Sequence, residues 1–218
     1  MERTETQPGV ARGWAQRTNL YLNVRARRKL PRMQAASAPP SAPAARRLFT
    51  ALFPDDAACA AIVAARAQWQ GRPARERPRP GRLHVTLQFF DAVDAAREAA
   101  WRQALAALRF APFELTLARA ELWHAPHGTI AVLRADPCDA LAQLHARTDA
   151  IAREAGLTPD ARPCKPHLTA LRQAERLAPP PRLREPIRWR VQALRLVWSD
   201  LAAQPPCYRV LGHFGAGG

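Results

Sequence analysis

From residue 46 onward the chain switches between two kinds of hydrophobic pattern. Short apolar runs of β-prone residues predict strands. They cover residues 47–53, 83–90, 113–117, 129–133, 166–171, 187–198 and 207–214. Longer alanine-rich runs predict three helices. They cover residues 54–69, 94–108 and 138–155, and Gly156 is placed to end the last of them. The order of these elements predicts an α+β fold, in which a turn at residues 125–128 joins two paired strands.

The two ends of the chain differ in composition from this part. Residues 1–45 are rich in arginine and close with an Ala/Pro/Ser run over residues 35–45, which predicts a basic, poorly ordered extension. A basic arm that contacts nucleic acid, an arginine-rich targeting peptide and a start codon assigned too far upstream would all look this way. Residues 46–214 are predicted to form one domain, and residues 215–218 a loose tail.

Composition narrows the class of protein. Hydrophobic residues make up 48% of the 218 residues, which is enough for a sizeable core. The four cysteines form no CxxC pair, so free thiols in a reducing compartment are expected. No apolar run approaches the roughly 18 residues of a membrane span, and the N-terminus lacks the apolar stretch of a secretory signal. We therefore expect a cytoplasmic monomer that does not enter a membrane.

The formal net charge of +15 points to the kind of partner. Lys29 and Lys165 are the only lysines, so nearly all of the positive charge is arginine, whose planar guanidinium binds phosphate oxygens in pairs. This favours an anionic partner such as RNA, DNA or a nucleotide. A general arginine bias with solvated side chains would give the same total, so charge alone does not define a site.

Two of the predicted strands carry a histidine followed two positions later by a threonine. Residues 83–90 read LHVTLQFF and residues 166–171 read PHLTAL, with the two histidines 83 residues apart. Because strand side chains alternate between faces, His84 and Thr86 point to one side of their strand and the apolar neighbours to the other. The second motif does the same. The repeat suggests two similar lobes that bring both motifs to one central cleft.

Two imidazoles and two hydroxyls in one cleft suit chemistry at phosphorus. Histidine titrates near neutral pH, so His84 and His167 can act as an acid and a base on opposite sides of a phosphate. The hydroxyls of Thr86 and Thr169 can donate to its non-bridging oxygens and hold the group in place. This chemistry requires no carboxylate, metal or cofactor. A single motif of this kind in a strand is usually structural, and the second copy is what favours catalysis.

Two metal sites are weaker interpretations of histidines in this sequence. His124 and His127 could form a metal pair in a turn, and Cys164 with His167 has the spacing of half a zinc site. No further ligands complete either set in the sequence. We therefore expect neither a bound metal nor a cofactor.

At the two motifs the chain resembles the 2H phosphoesterase superfamily, which is named for a pair of His-x-Thr/Ser motifs. Within it the chain is most similar to the bacterial and archaeal RNA 2′,3′-cyclic phosphodiesterases, once described as 2′-5′ RNA ligases. The similar stretches lie at residues 47–54, 83–89, 162–172 and 196–211. The resemblance covers residues 46–214. Ala170 departs from the family, which commonly has leucine there, but it points away from the cleft and concerns packing.

The resemblance implies a bilobal fold, with two pseudo-symmetric lobes whose antiparallel sheets surround a central cleft and whose helices lie outside. It also implies metal-independent hydrolysis of a 2′,3′-cyclic phosphate, at an RNA or nucleotide end, to a 2′-phosphomonoester. Carried over to this chain, His84 is the proton donor to the leaving 3′ oxygen and His167 the proton acceptor that activates water. Thr86 and Thr169 bind the phosphate.

Basic residues near the second motif are further candidates for substrate binding. Lys165 and Arg172 flank it, and a cation there favours an anionic phosphate or RNA backbone. The arginines between positions 72 and 82 crowd a Pro/Arg-rich loop and could guide an RNA strand. Solvated surface positions are the simpler interpretation of each.

The motifs leave the substrate open. The same groups could cleave or join 2′-5′ linkages, or open another cyclic nucleotide, because the chemistry at phosphorus is shared and reversible. A basic RNA-binding module without catalysis is a separate alternative. It predicts salt-sensitive RNA binding that survives the loss of both histidines.

Overall fold

The computed structural model describes residues 45–69, 77–126 and 128–215. Its strands are β1 (Arg46–Leu52), β2 (Val85–Val93), β3 (Phe113–Ala125), β4 (Gly128–Ala135), β5 (His167–Arg172), β6 (Arg182–Val191), β7 (Ala193–Asp200) and β8 (Cys207–Gly215). Its helices are α1 (Asp56–Ala67), α2 (Ala95–Ala106) and α3 (Asp139–Glu154), and a short 3-10 turn (Pro80–Arg82) precedes β2. These elements confirm the predicted α+β class and the three predicted helices.

The strands form one antiparallel sheet in the order β6-β3-β4-β5-β2-β1-β7-β8. Four strands lie on each side of the junction between β5 and β2, and the two halves meet there through one residue pair, Val85 with Leu168. Each half has the same strand–helix–strand unit next to the junction, β1–α1–β2 in one and β4–α3–β5 in the other. The sheet therefore consists of two similar halves, which confirms the predicted bilobal architecture.

Local sequence signals set the ends of the helices. The carboxylates of Asp55 and Asp94 accept hydrogen bonds from the backbone N–H groups of Ala58 and Arg97, both at 2.8 Å. These bonds cap the first turns of α1 and α2. Gly156 follows α3 with a φ of +76°, a left-handed conformation that glycine adopts without a steric penalty. The helices therefore start and stop close to where the sequence predicts.

The helices cover the face of the sheet that carries its buried apolar side chains. Ile62 of α1, Trp101 of α2 and Leu144 of α3 share one core with Val85 and Leu168 at the junction. Each such buried side chain contributes about 1.5–3 kcal/mol of hydrophobic stabilisation. Helix α1 contacts β5 and β6 of the opposite half, and α3 contacts β2, so these two helices hold the halves together. None of the helices in the described ranges is long and apolar enough to cross a membrane.

One predicted strand is wrong, because residues 187–198 contain two strands. The chain leaves β6 after Val191 and begins β7 at Ala193. Strand β6 pairs with β3 while β7 pairs with β1, so they belong to different halves although only Gln192 separates them. Adjacent Cα atoms are about 3.8 Å apart, so the two halves approach each other here. Residues 182–186, predicted as loop, are also part of β6.

A β-bulge interrupts the pairing of β1 with β2. Thr50 pairs with Gln88, whereas the next residue, Ala51, pairs with Thr86, which leaves Leu87 as the extra residue. The Thr50 hydroxyl donates to the buried Gln88 side-chain oxygen at 2.6 Å, and this bond fixes the bulge in the core. The alternation of side chains along β2 therefore shifts by one position after the first motif.

Several predictions fall on residues outside the described ranges. They concern the extension over residues 1–44, the arginines at positions 72 and 75, His127 and the last three residues. The proposed domain boundaries and the role of the extension stay predictions.

Candidate active site

An open groove of about 710 Å³ lies where the two halves of the sheet meet. Both motifs line it: His84 immediately precedes β2, Thr86 lies in β2, and His167 and Thr169 lie in β5. All four side chains are half-buried, so each is held by neighbouring side chains but open to a ligand. Clefts between two halves of a fold are common binding sites.

The pairing of Val85 with Leu168 sets the arrangement of these side chains. Both residues of the pair are fully buried and turn their side chains into the core. In an antiparallel pair, the residues on either side of such a bridge face the other surface. The threonine of each motif therefore comes next to the histidine of the other motif. The result is an approximate two-fold arrangement of two imidazoles and two hydroxyls in one groove.

Both histidines are held by the same backbone hydrogen bond. The Nδ1 atom of His84 lies 2.7 Å from the carbonyl oxygen of Arg82, and that of His167 lies 2.8 Å from the carbonyl oxygen of Lys165. A carbonyl oxygen only accepts, so Nδ1 carries the hydrogen in each ring. The neutral rings therefore keep their lone pair on Nε2, which is the nitrogen available to accept or donate a proton in the groove.

His84 lies in an aromatic environment. Its ring centroid is 5.0 Å from that of Phe49, 5.5 Å from that of Phe53 and 5.7 Å from that of Tyr208. The pKa of His84 is lowered to about 4, mainly because burial disfavours the charged imidazolium. The bond to the Arg82 carbonyl opposes this shift, and the positive charge of Arg172 contributes to it. His84 is therefore neutral at pH 7.

His167 lies in an environment that combines one aromatic ring with two opposite charges. Its ring centroid is 4.4 Å from that of Trp123. Burial is again the main cause that lowers the pKa of His167, the bond to the Lys165 carbonyl raises it, the charge of Arg134 lowers it and that of Glu121 raises it. The two histidines thus share their backbone bond but differ in their neighbours.

The groove is strongly basic. The arginines that line it are Arg47, Arg77, Arg79, Arg82 and Arg172. None of the lining residues in the described ranges is an aspartate or glutamate. Arg82 donates to the carbonyl of Pro206 and lies 4.9 Å from the ring centroid of Tyr208, while Arg47 pairs with Asp91 at 2.6 Å. Such a surface attracts phosphate groups, because no carboxylate of the described lining opposes their negative charge.

The structure brings five of the six predicted site residues into this groove. They are His84, Thr86, His167, Thr169 and Arg172. The sixth, Lys165, has an exposed side chain and is not among the described residues that line the groove. Its backbone carbonyl instead holds His167. Three arginines of the loop before β2, at positions 77, 79 and 82, do line the groove as the loop hypothesis requires.

The alternative metal interpretations find little geometry to support them. The Nδ1 atom of His124 lies 3.4 Å from the hydroxyl of Thr129, and its partner in the predicted pair, His127, lies outside the described residues. Over the ranges that the structure describes, no group of three or more His, Cys, Asp or Glu side chains is arranged to hold a metal ion.

Sequence reasoning missed the aromatic lining. Phe49, Tyr208 and Phe89 all line the groove, and Phe89 is 48% exposed. Strict alternation from Val85 would bury Phe89, and the bulge at Leu87 turns it outward. Alternation along β1 could have assigned Phe49 to one face of the sheet, but the sequence does not indicate which strands lie beside β1.

The chain belongs to the 2′-5′ RNA ligase superfamily. The sequence profile of this family matches residues 54–203, more than half of the chain, and the matched region contains both motifs. The two-half fold and the paired motifs are those of the 2H phosphoesterases, so the class is that of enzymes acting on phosphoester bonds.

Solved structures agree with this assignment. The chain is similar to E. coli LigT in complex with 3′-AMP, with 28% identity, a TM-score of 0.68, and coverage of 80% of this chain and 99% of that chain. LigT in complex with NADP+ gives 28% identity, a TM-score of 0.67 and the same coverage. The protein TT0787 of Thermus thermophilus gives 29% identity and a TM-score of 0.58, covering 77% of this chain and 96% of that one. No curated protein sequence matches the chain significantly.

Proposed function

We propose that this protein hydrolyses 2′,3′-cyclic phosphate ends of RNA or nucleotides to 2′-phosphomonoesters. The observation that carries the proposal is the pairing of two His-x-Thr motifs across one residue bridge, with both imidazoles held through Nδ1. This leaves two Nε2 atoms in a basic groove that suits a phosphate. The LigT structures with 3′-AMP and NADP+ support a nucleotide or RNA partner.

The proposed reaction needs one base and one acid. The Nε2 atom of His167 takes a proton from water as the water oxygen forms a bond to phosphorus. His84, in its protonated form, gives a proton to the 3′ oxygen as the bond from phosphorus to that oxygen breaks. The hydroxyls of Thr86 and Thr169 donate to the non-bridging oxygens, where negative charge grows. Exchange with solvent then returns both rings to their starting states. The assignment of acid and base follows the family resemblance.

The low pKa of His84 fits this role only in the complex. At a pKa of about 4 the ring is neutral at pH 7, and a neutral ring with its hydrogen on Nδ1 cannot donate from Nε2. A phosphate anion beside the ring favours the charged form and raises the pKa. Substrate binding therefore converts His84 into the proton donor: the ring takes a proton from solvent as the anion enters the groove.

The groove arginines are proposed to bind the rest of the substrate. Arg172 lies on the same strand as the second motif and lines the groove, so we assign it to the phosphate. Arg77, Arg79 and Arg82 come from one segment before β2 and line the groove, so they are suited to the backbone of a longer RNA. Phe89 presents an exposed ring on which a base can stack. Lys165 stays a candidate for a more distant phosphate.

The family name supports a second candidate, the joining or cleavage of 2′-5′ linkages in the same groove. Joining is the same attack on the cyclic phosphate with a 5′-hydroxyl in place of water, so the two histidines keep their roles. Cleavage of a 2′-5′ linkage is the reverse, in which the 3′-hydroxyl attacks, the 5′ oxygen leaves and the two histidines exchange roles. The geometry serves both directions, so the products must distinguish them.

Product analysis tests the proposal. The full-length protein is incubated in EDTA with a short RNA that ends in a 2′,3′-cyclic phosphate. We expect a mass increase of one water and an end phosphate that phosphatase removes, on the 2′ and not the 3′ position. A product longer than the substrate would favour ligation, and no reaction with any cyclic end would overturn the proposal. Activity that EDTA abolishes would contradict metal independence.

A further inference from the structure

Three side chains of β3 and β4 form a ladder beside His167. In the pairing of β4 with β5, Arg134 is directly opposite His167. Glu121 and Trp123 are two positions apart on β3, so they share a face of that strand. Strand β3 lies next to β4 in the sheet. The ladder therefore runs across three neighbouring strands and ends at the histidine of the second motif.

The contacts within the ladder hold Trp123 at two points. Its indole N–H donates to Glu121 Oε2 at 2.8 Å, which fixes the edge of the ring. Arg134 donates from Nη1 to the same carboxylate oxygen at 3.4 Å and places its guanidinium 5.3 Å from the Trp123 ring centroid. Trp123 also contacts His167, and the two ring centroids are 4.4 Å apart. The indole therefore contacts both the ion pair and the imidazole.

We propose that Glu121, Trp123 and Arg134 are positioning residues for His167: the indole fixes the plane of the imidazole, and the ion pair keeps opposite charges in balance beside it. This inference rests on the proposed function, in which the Nε2 atom of His167 takes a proton from water. Side chains that lock the orientation of a catalytic group are a general requirement of active sites.

The two charges of the ladder act on His167 in opposite directions. Arg134 lowers the pKa of His167 and Glu121 raises it, and neither touches the water or the phosphate in the proposed reaction. Lys165 and Arg172 lie on the same segment as His167, and His84 lies across the groove. On the α3 side, Asp149 raises the pKa of the Cys164 thiol and is not among the charges that shift His167. No carboxylate among the described residues lines the groove, so Glu121 is the anion that opposes Arg134.

This opposition gives a test that a purely structural role would not pass. Removing the carboxylate with Glu121→Gln keeps an oxygen for the indole but leaves Arg134 unbalanced, so the pKa of His167 falls. Removing the guanidinium with Arg134→Met leaves Glu121 unbalanced, so the pKa of His167 rises. We expect shifts of roughly half a unit or more, in opposite directions.

The measurement is an NMR titration of the histidine rings in the full-length protein, in which the signal of His167 is identified by its loss in His167→Ala. The control is the ion pair of Glu114 and Arg188, 3.6 Å apart on β3 and β6. Neither of its residues lines the groove. Glu114→Gln and Arg188→Met should leave the pKa of His167 unchanged.

The same variants should move the acidic limb of kcat/KM for the cyclic RNA by matching amounts. A separate arm tests the ring: Trp123→Leu should lower kcat about 10-fold with little change in KM, and Trp123→Phe should restore most of it. Shifts of His167 in the same direction for both charge variants, or no shift, would overturn the inference. Opposite shifts in a protein that hydrolyses no cyclic phosphate would leave the charge balance standing and reject the proposed function.

Discussion

The two halves of the groove hold their histidines by the same backbone bond and surround them with different side chains. His84 meets three aromatic rings, and its pKa falls to about 4. His167 meets one indole and a balanced pair of opposite charges, Glu121 and Arg134, and its pKa is also lowered by burial. A shared motif therefore fixes where each imidazole points, while its neighbours decide when it carries a proton.

This difference suits two different tasks. A base must be neutral when water arrives, and the charge balance beside His167 allows its proton affinity to be set without moving the ring. An acid needs its proton once the substrate is bound. Because its surroundings are apolar, His84 becomes charged when a phosphate anion lies beside it. In the proposed reaction the asymmetry of the neighbours thus assigns distinct roles to two equivalent positions.

Loss of either histidine should have the largest effect. His84→Ala and His167→Ala should each lower kcat/KM for a cyclic RNA roughly 10²-fold or more, because each removes one proton transfer. Steady-state kinetics with His213→Ala as a control, a histidine of β8 outside the groove lining, checks this. Full activity in either variant would remove that half of the groove from the mechanism.

Loss of either threonine hydroxyl should have an intermediate and similar effect. Thr86→Val and Thr169→Val keep the shape of the side chain but remove one hydrogen bond to the phosphate, which corresponds to about a 10-fold loss in kcat/KM. Thr116→Val on β3 is the matched control. A large loss in one variant and none in the other would show that the halves do not share the phosphate.

Removal of the positive charge at Arg172 should raise the pKa of His84. The positive charge of Arg172 lowers the pKa of His84, so Arg172→Met should raise it, and NMR titration of the ring reports the change. Arg190→Met on β6 serves as the control. If the pKa of His84 is unchanged in Arg172→Met, the charge of Arg172 does not contribute to lowering this pKa.

The last expected effect is on stability and not on activity. The pKa of His84 is about 4 in the folded protein against 6.5 for the free side chain, so between these values the unfolded chain binds more protons. The free energy of unfolding should therefore fall as the pH is lowered from 6.5 to 4. Urea denaturation should show a shallower fall in His84→Phe, and equal slopes in the two proteins would contradict the assignment.

The sequence predicts the motif faces because strand alternation is a local property. His84 and Thr86 turn to the groove, and Val85 turns to the core, as period-two alternation requires. The break at Gln192 was missed although the alternation changes phase there, from buried Val191 to buried Leu194, because a bulge within one strand gives the same change of phase. Phe89 was missed because the bulge depends on Thr50, a residue 38 positions away from its partner Gln88.

The neighbours of the histidines were equally hidden. Trp123 and Arg134 lie in predicted or adjoining strand segments, but their approach to His167 depends on the register between β4 and β5. Register is set by the packing of the whole sheet and not by the residues themselves. Motif spacing can therefore identify the reacting groups, whereas the groups that tune them require the structure.

The most direct test of the central claim is a double-mutant cycle on the two histidines, with single-turnover cleavage of one cyclic RNA as the readout. If the imidazoles act as one acid–base unit, the variant that lacks both should be no more than a few fold slower than the slower single variant. Multiplied losses, on the order of 10⁴-fold, would contradict the account and mean that each half of the groove contributes to catalysis independently.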